Sequence, residues 1–191
     1  MEPLTDVRQV SRIAYGYMAS RALFAALDLS LFTLLSNTSK NLEELATETG
    51  IAPNRMQTLL AALLSLGLVS EQGGRYTNAP ASETFLVRGA PHDYGEYLRV
   101  VNGEMLYQGF AKLEAGLRGN KAFSDKGFYD GVFYQTGLDA AKFSAAQHAG
   151  SLGPAAVAAK RLDLTGCCRL LDVAGGSGAF SIMFCRANPE L

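Results

Sequence analysis

"RLLDVAGGSGAF", residues 169–180, is the stretch on which the reading of the whole chain turns. Leu170, Leu171 and Val173 form an apolar run around an acid, Asp172, and predict a strand buried on both faces, as in a parallel sheet flanked by helices. The glycines that follow let the backbone turn tightly and come close to a ligand, because no Cβ stands in the way. A helix then begins, with Phe180, Met183 and Phe184 expected to face inward, and its first turn offers N–H groups that no helical carbonyl can satisfy. Strand, glycine turn and helix is how an α/β domain opens its nucleotide-binding site.

Three motifs share this outline, and the residues separate them. A phosphate-binding P-loop needs Lys followed by Ser or Thr after its glycines, and Ala179-Phe180 stand there instead. The dinucleotide fingerprint would use Gly176 and Gly178, but Ser181 occupies its third glycine position, where close helix packing wants Gly or Ala. What remains is an acid shortly before a glycine turn. That form suits a ligand without a pyrophosphate, whose amino-acid end carries an ammonium for the carboxylate to attract. S-adenosylmethionine (SAM) is such a ligand.

Around this motif lie 191 residues, of which 48% are hydrophobic and 18% charged, a globular composition. The formal net charge of −1 and a pI near 6.1 give no global basic field for nucleic acid or an anionic membrane. The N-terminus "MEPLTDVRQV" is polar and lacks the pattern of a signal peptide. The longest apolar run, "LLAALLSLGLV" at 59–69, is about half of the ~20 residues a membrane helix needs. These features lead to the expectation of a soluble, cytoplasmic protein. Cys167, Cys168 and Cys185 offer no disulfide framework and no zinc-type pair, so they read as reduced thiols packed around the strand and helix, with no metal site.

Residues 6–36 read as helices, with a hinge near Asp28; Val7, Val10, Ile13, Ala14, Tyr17 and Met18 recur at helical spacing as one apolar stripe. A stripe this apolar needs a cover, from its own domain or from a second subunit. Asn41 and Glu44 form a capping box ahead of a helix, Gly50 breaks it, and Pro53 starts the next, which carries Met56, Leu59, Leu60 and Leu63 and ends near Gly67. Gly73-Gly74 between two short strands is a hairpin signal. Helix, turn, helix and hairpin make a winged-helix arrangement, which raises the question of DNA. Arg55 and Arg75 against Glu43, Glu44, Glu48 and Glu71 leave residues 41–80 at −2, and the second helix offers one Arg to a groove. A module that reads DNA needs several Lys or Arg against the phosphates, so this one is expected to pack, not to bind nucleic acid.

A longer helical stretch over 92–118 places Leu98, Val101, Met105 and Leu106 on its buried side. The glycine-punctuated segment after it carries Phe123, Phe128, Tyr129, Phe133 and Tyr134. Such a cluster either lines a pocket for a flat ligand or forms a small core that holds a loop down. A helix from about Leu138 is expected to break near "GSLGP" at 150–154, with another around 155–162.

Taken together, the segments "LEELATETGIAPNRMQTLLAALLSLGLV", "RYTNAPASETFLV", "GFYDGVF" and "RLLDVAGGSG" resemble the SAM-dependent O-methyltransferases with an N-terminal winged-helix dimerisation domain, of the plant phenolic and bacterial polyketide-tailoring type. The resemblance covers the whole chain. It implies a mainly helical winged-helix dimerisation domain over 1–90, a helical linker and substrate-chamber segment over 91–163, and over 164–191 the start of a doubly wound, Rossmann-like α/β domain. It also implies that Asp172, Gly175, Gly176 and Gly178 form the SAM turn. Ala174 stands where the family has glycine, and alanine there costs about 1 kcal/mol if the position needs positive φ. "FSAAQHAGS" is similar to the family's F-x-x-A-M-x-x-x-S helix, which places Phe143 and Ser151 at the cofactor, Ser151 as a donor to its carboxylate, and Gln147 where the family has methionine against substrate. By the same resemblance Phe128, Tyr129 and Phe133 belong to the substrate chamber, and Tyr15, Tyr17 and Met18 wall it from a homodimer partner.

The implied reaction is methyl transfer to a hydroxyl of a small aromatic or polyketide-like metabolite. The family's general base lies further along than Leu191, and neither His92 nor His148 matches it; His148 reads as a helix-surface residue. The expectation is therefore an N-terminal portion of the enzyme, inactive alone, whose residues from about Leu164 onward lack their strand partners. The rival is a non-catalytic winged-helix interaction module or pseudo-methyltransferase.

Overall fold

The computed structural model describes residues 3–119 and 140–191. It divides into two compact units, Met1–Ala90 and Pro91–Leu191.

The first unit begins with α1 (Val7–Asp28), whose N-cap Asp6 forms a capping box with Gln9. The hinge expected near Asp28 is a left-handed residue, Ser30 at φ 54°, after which the short α2 (Leu31–Leu34) begins. Only the C-terminal part of α1 is buried, through Phe24, Ala26 and Leu27. β1 (Lys40–Asn41) leads directly into α3 (Leu42–Thr49). The capping box is formed in both directions: Glu44 N–H donates to Asn41 Oδ1 at 2.9 Å, and Asn41 N–H donates to the Glu44 carboxylate at 2.7 Å. Gly50 ends α3 at φ 69°, and Pro53 opens α4 (Pro53–Ser65), where its missing N–H costs nothing.

The hairpin strands β2 (Val69–Gln72) and β3 (Arg75–Asn78) pair antiparallel, Gln72 opposite Arg75 and Val69 opposite Asn78. Their two-residue loop has positive φ at both Gly73 (59°) and Gly74 (77°), which matches the twist of a tight hairpin and is open to glycine pairs. β1 adds to the other edge of β3, giving the order β1-β3-β2. Leu31, Phe32, Leu35, Leu45, Met56, Leu60 and Leu63 form the buried core beneath, while Leu59 is only partly covered. After α5 (Pro80–Phe85) closes the unit, the Glu83 carboxylate accepts from Asn78 Nδ2 at 2.6 Å and from Ser36 Oγ at 2.7 Å. Those two bonds, the Asn78 one first, hold the Glu83 carboxyl below its ordinary value.

In the second unit the helical stretch expected over 92–118 is segmented. It runs as α6 (Gly95–Tyr97), a π-helix (Leu98–Leu106), α7 (Tyr107–Phe110) and α8 (Leu113–Leu117). Val100, Val101 and Met105 are its buried positions, with Leu106 packed partly against them. The wider spacing of a π-helix is what brings Val100 and Met105, five residues apart, onto one face. An ion-pair chain crosses the same region. Arg99 pairs with Glu96 and, at 2.8 Å, with Glu104, and Lys142 reaches Glu104 at 2.7 Å.

Three expectations are corrected here. The helix does not break at "GSLGP": α9 runs unbroken from Ala140 to Arg161 with Pro154 inside it. The residue before a proline normally avoids helical backbone because its Cβ meets the pyrrolidine ring, and Gly153 has no Cβ to clash. Secondly, residues 169–173 form no strand, and among the described residues nothing pairs with them. Leu171 and Val173 are 86% and 81% exposed, because a strand is held by its neighbours' backbone groups and not by its own apolar sequence. Thirdly, Cys167, Cys168 and Cys185 are exposed, since the segment around them has no sheet to pack into. The final helix, α10 (Ala179–Ala187), packs along α9, with Met183 and Phe184 partly covered but Phe180 39% exposed.

Gly150 fixes how α9 meets α6. A Cβ built there would overlap the ring of Tyr97, which stacks on Tyr94 at 5.3 Å between centroids. Gly150→Ala should therefore destabilise this unit by about 1–3 kcal/mol in urea unfolding, and trimming the ring with Tyr97→Leu in the same chain should recover part of the loss.

Candidate functional site

The turn from Asp172 to Gly178 takes its shape from left-handed backbone. Ala174 sits at φ 60°, Gly176 at 56° and Gly178 at 72°. The departure from glycine at 174 is thus a strained one, since an L-residue there brings its Cβ toward the following carbonyl. Gly175 matters for another reason: a Cβ would lie 2.5 Å from Asp172 Oδ2, so a larger residue would displace the carboxylate. The Asp172 side chain folds back over the turn and accepts from Ser181 Oγ at 2.5 Å, so the serine at the rejected third-glycine position holds the acid in place. Gly178 N–H donates to the carbonyl of Gly175 at 2.9 Å and closes the turn. Gly178 is also the N-cap of α10, which has neither a side-chain cap nor an acid in its first turn. Its amide groups and the positive end of its dipole are available to an anion.

Opposite the turn stands one face of α9. Phe143, Gln147 and Ser151 recur every four residues, with Ser144 beside them, and together with Asp172, Ala174, Gly175, Gly176, Ser177, Ala179 and Phe180 they line a cavity of about 460 Å³. That volume falls within the range of about 300–1,000 Å³ usual for small-molecule sites. Phe143 serves two purposes, packing its ring against the Val100–Val101–Met105 cluster while lining the cavity.

Every residue expected at the cofactor therefore lies in or closes this one cavity. Gln147, expected against substrate, lies in the same cavity. Tyr15, Tyr17 and Met18 stand on α1 in the first unit, each more than half exposed. Phe128, Tyr129 and Phe133, with Phe123 and Tyr134, lie outside the described residues. The sequence reading missed Ser144, Ser177, Ala179 and Phe180; helical spacing from Phe143 and adjacency to the glycines were the available signals. His148 needs correcting too. It is half-buried, with Nδ1 3.0 Å from Ser177 Oγ, because α9 turns that flank toward the glycine turn. Among the described residues no cluster of His, Cys, Asp or Glu is arranged to hold a metal, and no helix is long and apolar enough to cross a membrane.

A carboxylate, three short hydroxyls, an uncapped helix start and two aromatic rings around one cavity suit a ligand with an ammonium, a carboxylate and a flat heterocycle. Residues 11–88, most of the first unit, match the family model of the O-methyltransferase dimerisation domain. Among individual proteins, the chain is 34% identical over its full length to the tetracenomycin polyketide synthesis 8-O-methyl transferase TcmO of Streptomyces glaucescens, covering 57% of that protein. It is 29% identical over 94% of its length to 3-hydroxy-5-methyl-1-naphthoate 3-O-methyltransferase of Streptomyces sahachiroi, covering 52% of that protein. The fold matches human N-acetylserotonin methyltransferase, solved in complex with SAM, with a TM-score of 0.80 at 23% identity, over 100% of this chain and 59% of that one. The chain thus spans a little over half the length of the curated relatives it matches.

Ala174 gives a direct test of the turn. Relief of left-handed strain, about 1–2 kcal/mol, is offset by the extra freedom glycine gives the unfolded chain, about 0.4–1 kcal/mol. Ala174→Gly should accordingly raise stability by roughly 0.5–1 kcal/mol in chemical denaturation; a loss of stability would show that the position is not held left-handed.

Proposed function

We propose that this chain supplies the dimerisation unit and the SAM-binding turn of an O-methyltransferase acting on a hydroxyl of a small aromatic or polyketide-like metabolite. The observation that carries the reading is the cavity between α9 and the glycine turn, where Phe143, Ser151, Asp172, Gly175 and Gly176 come together. In that cavity Asp172 meets the ammonium of SAM, Ser151 and the start of α10 meet its carboxylate, and Phe143 and Phe180 offer ring faces to its adenine. Bound there, SAM supplies an electrophilic methyl on a sulfonium. The chain's own contribution is positioning, which is a large part of what an in-line displacement needs. Asp172 is kept in one place by Ser181, and Gly175 leaves room for it.

The relatives' printed names, an 8-O-methyl transferase of tetracenomycin polyketide synthesis and a 3-O-methyltransferase of a hydroxynaphthoate, support a flat, hydroxylated acceptor. In the first unit, α3, α4 and the hairpin support the winged-helix reading; in the second, the glycine turn and α10 support reading residues 164–191 as the start of a doubly wound domain, although its expected first strand is not formed. Arg75, the basic residue of the hairpin, is exposed but engaged by Ser39 and Glu44 of its own unit, which suits packing better than phosphate contact. The N-terminal part of α1 supports a homodimer: Val7, Val10, Ile13, Tyr17 and Met18 are 54–75% exposed, an apolar stripe that a second copy would cover.

Calorimetric titration with SAM tests the cofactor reading. The unaltered chain should bind, and Gly176→Val, which puts a branched side chain into the cavity at a left-handed position, should abolish binding while circular dichroism stays unchanged; equal affinity in the two chains would end the assignment. Dimerisation is tested separately. Val10→Asp combined with Ile13→Asp should convert a dimer into monomer or aggregate in sedimentation velocity, and an unaltered, well-folded dimer would exclude this face.

A further inference from the structure

We propose that His148 is a positioning residue, clamping the glycine turn to α9 through Ser177 and so setting the width of the cofactor cavity; this rests on the SAM reading above. Ser177 lies between two left-handed glycines, Gly176 at φ 56° and Gly178 at φ 72°. Glycine backbone is the most costly to order, so a turn built this way needs an external anchor to keep one shape. The turn's internal bonds, Gly178 N–H to Gly175 and Ser181 to Asp172, tie it to itself and to α10. The His148–Ser177 bond ties it instead to α9, at 3.0 Å between Nδ1 and Oγ.

That direction matters because α9 is the opposite wall. His148 follows Gln147, which lines the cavity, and stands three residues before Ser151, which does too. Ser177 lines the turn side of the same cavity. A single hydrogen bond therefore joins the two walls at their shared edge, leaving the space between Ser151 and Asp172 free for ligand. The bond can form with either ring tautomer, the serine donating to a bare Nδ1 or accepting from Nδ1–H. When Nδ1 carries hydrogen, the Ser177 hydroxyl proton is free to turn into the cavity toward an acceptor on the ligand. A wall fixed beforehand contributes to affinity by lowering the ordering cost of binding.

The test compares His148→Phe, Ser177→Ala, the two combined, and His148→Asn, whose amide reaches close to the place of Nδ1. Each single removal should weaken SAM binding about three- to tenfold in calorimetry, the range expected from one hydrogen bond. The combined variant should be no weaker than either alone, and His148→Asn should recover most of the affinity. Additive losses, or no loss in the single variants of a chain that binds SAM, would overturn the clamp. A ligand-free readout separates this from failure of the cofactor reading. Amide hydrogen exchange at Gly178, whose N–H closes the turn onto Gly175, should accelerate in both single variants and return toward normal in His148→Asn, whether or not SAM binds. Unchanged exchange at this glycine overturns the proposal by itself.

Discussion

Left-handed backbone at three positions within five residues is the constraint on which the site depends. Ala174, Gly176 and Gly178 reverse the chain so tightly that Asp172 folds back over Gly175 and α10 starts facing α9. With right-handed or extended backbone at any of them, the acid and the helix start would point to different sides. The cavity would then lose either its counter-charge or its amide groups. Ala174 holds this geometry against its own preference, which is possible because the neighbouring bonds from Gly178 to Gly175 and from Ser181 to Asp172 leave it no relaxed alternative.

The other wall depends on a different constraint, the length of α9. Its 22 residues pack against α6, the π-helix and α10, so the face with Phe143, Gln147 and Ser151 is carried by a helix held by several neighbours. Small residues make this possible. Ala146, Ala155 and Ala159 are buried on it, and Gly150 lets Tyr97 lie against its backbone. Large side chains at those positions would push the neighbouring helices away and open the cavity.

What the sequence disclosed follows from how local each feature is. The Asn41–Glu44 box, the Gly50 stop, Pro53 at a helix start and the Gly73-Gly74 hairpin are each decided within a few residues, and each is where the residues put it. That the residues expected at the cofactor share one cavity was legible because Asp172 to Gly178 is contiguous and Phe143 to Ser151 lies on one helix. The strand at 169–173 was not, because its bonds must come from elsewhere in the fold. The break expected at Pro154 failed on one missing Cβ at Gly153, and the π-helix leaves no turn or cap residue to announce it. His148 was misjudged because its partner lies 29 residues away.

The π-helix at Leu98–Leu106 bears on how this region tolerates changes in length. Hydrogen bonds to the fifth residue accommodate more chain per turn than an ordinary helix does. A helix that already runs in this form has absorbed surplus chain without a loop, keeping Glu104 opposite Lys142 and Met105 in the core. Loss of one residue would tighten the turn and rotate everything after it about the helix axis, turning both side chains away from their partners. Variation in length between homologous chains should therefore be sparse inside this segment and be found outside it, where no partner has to be met.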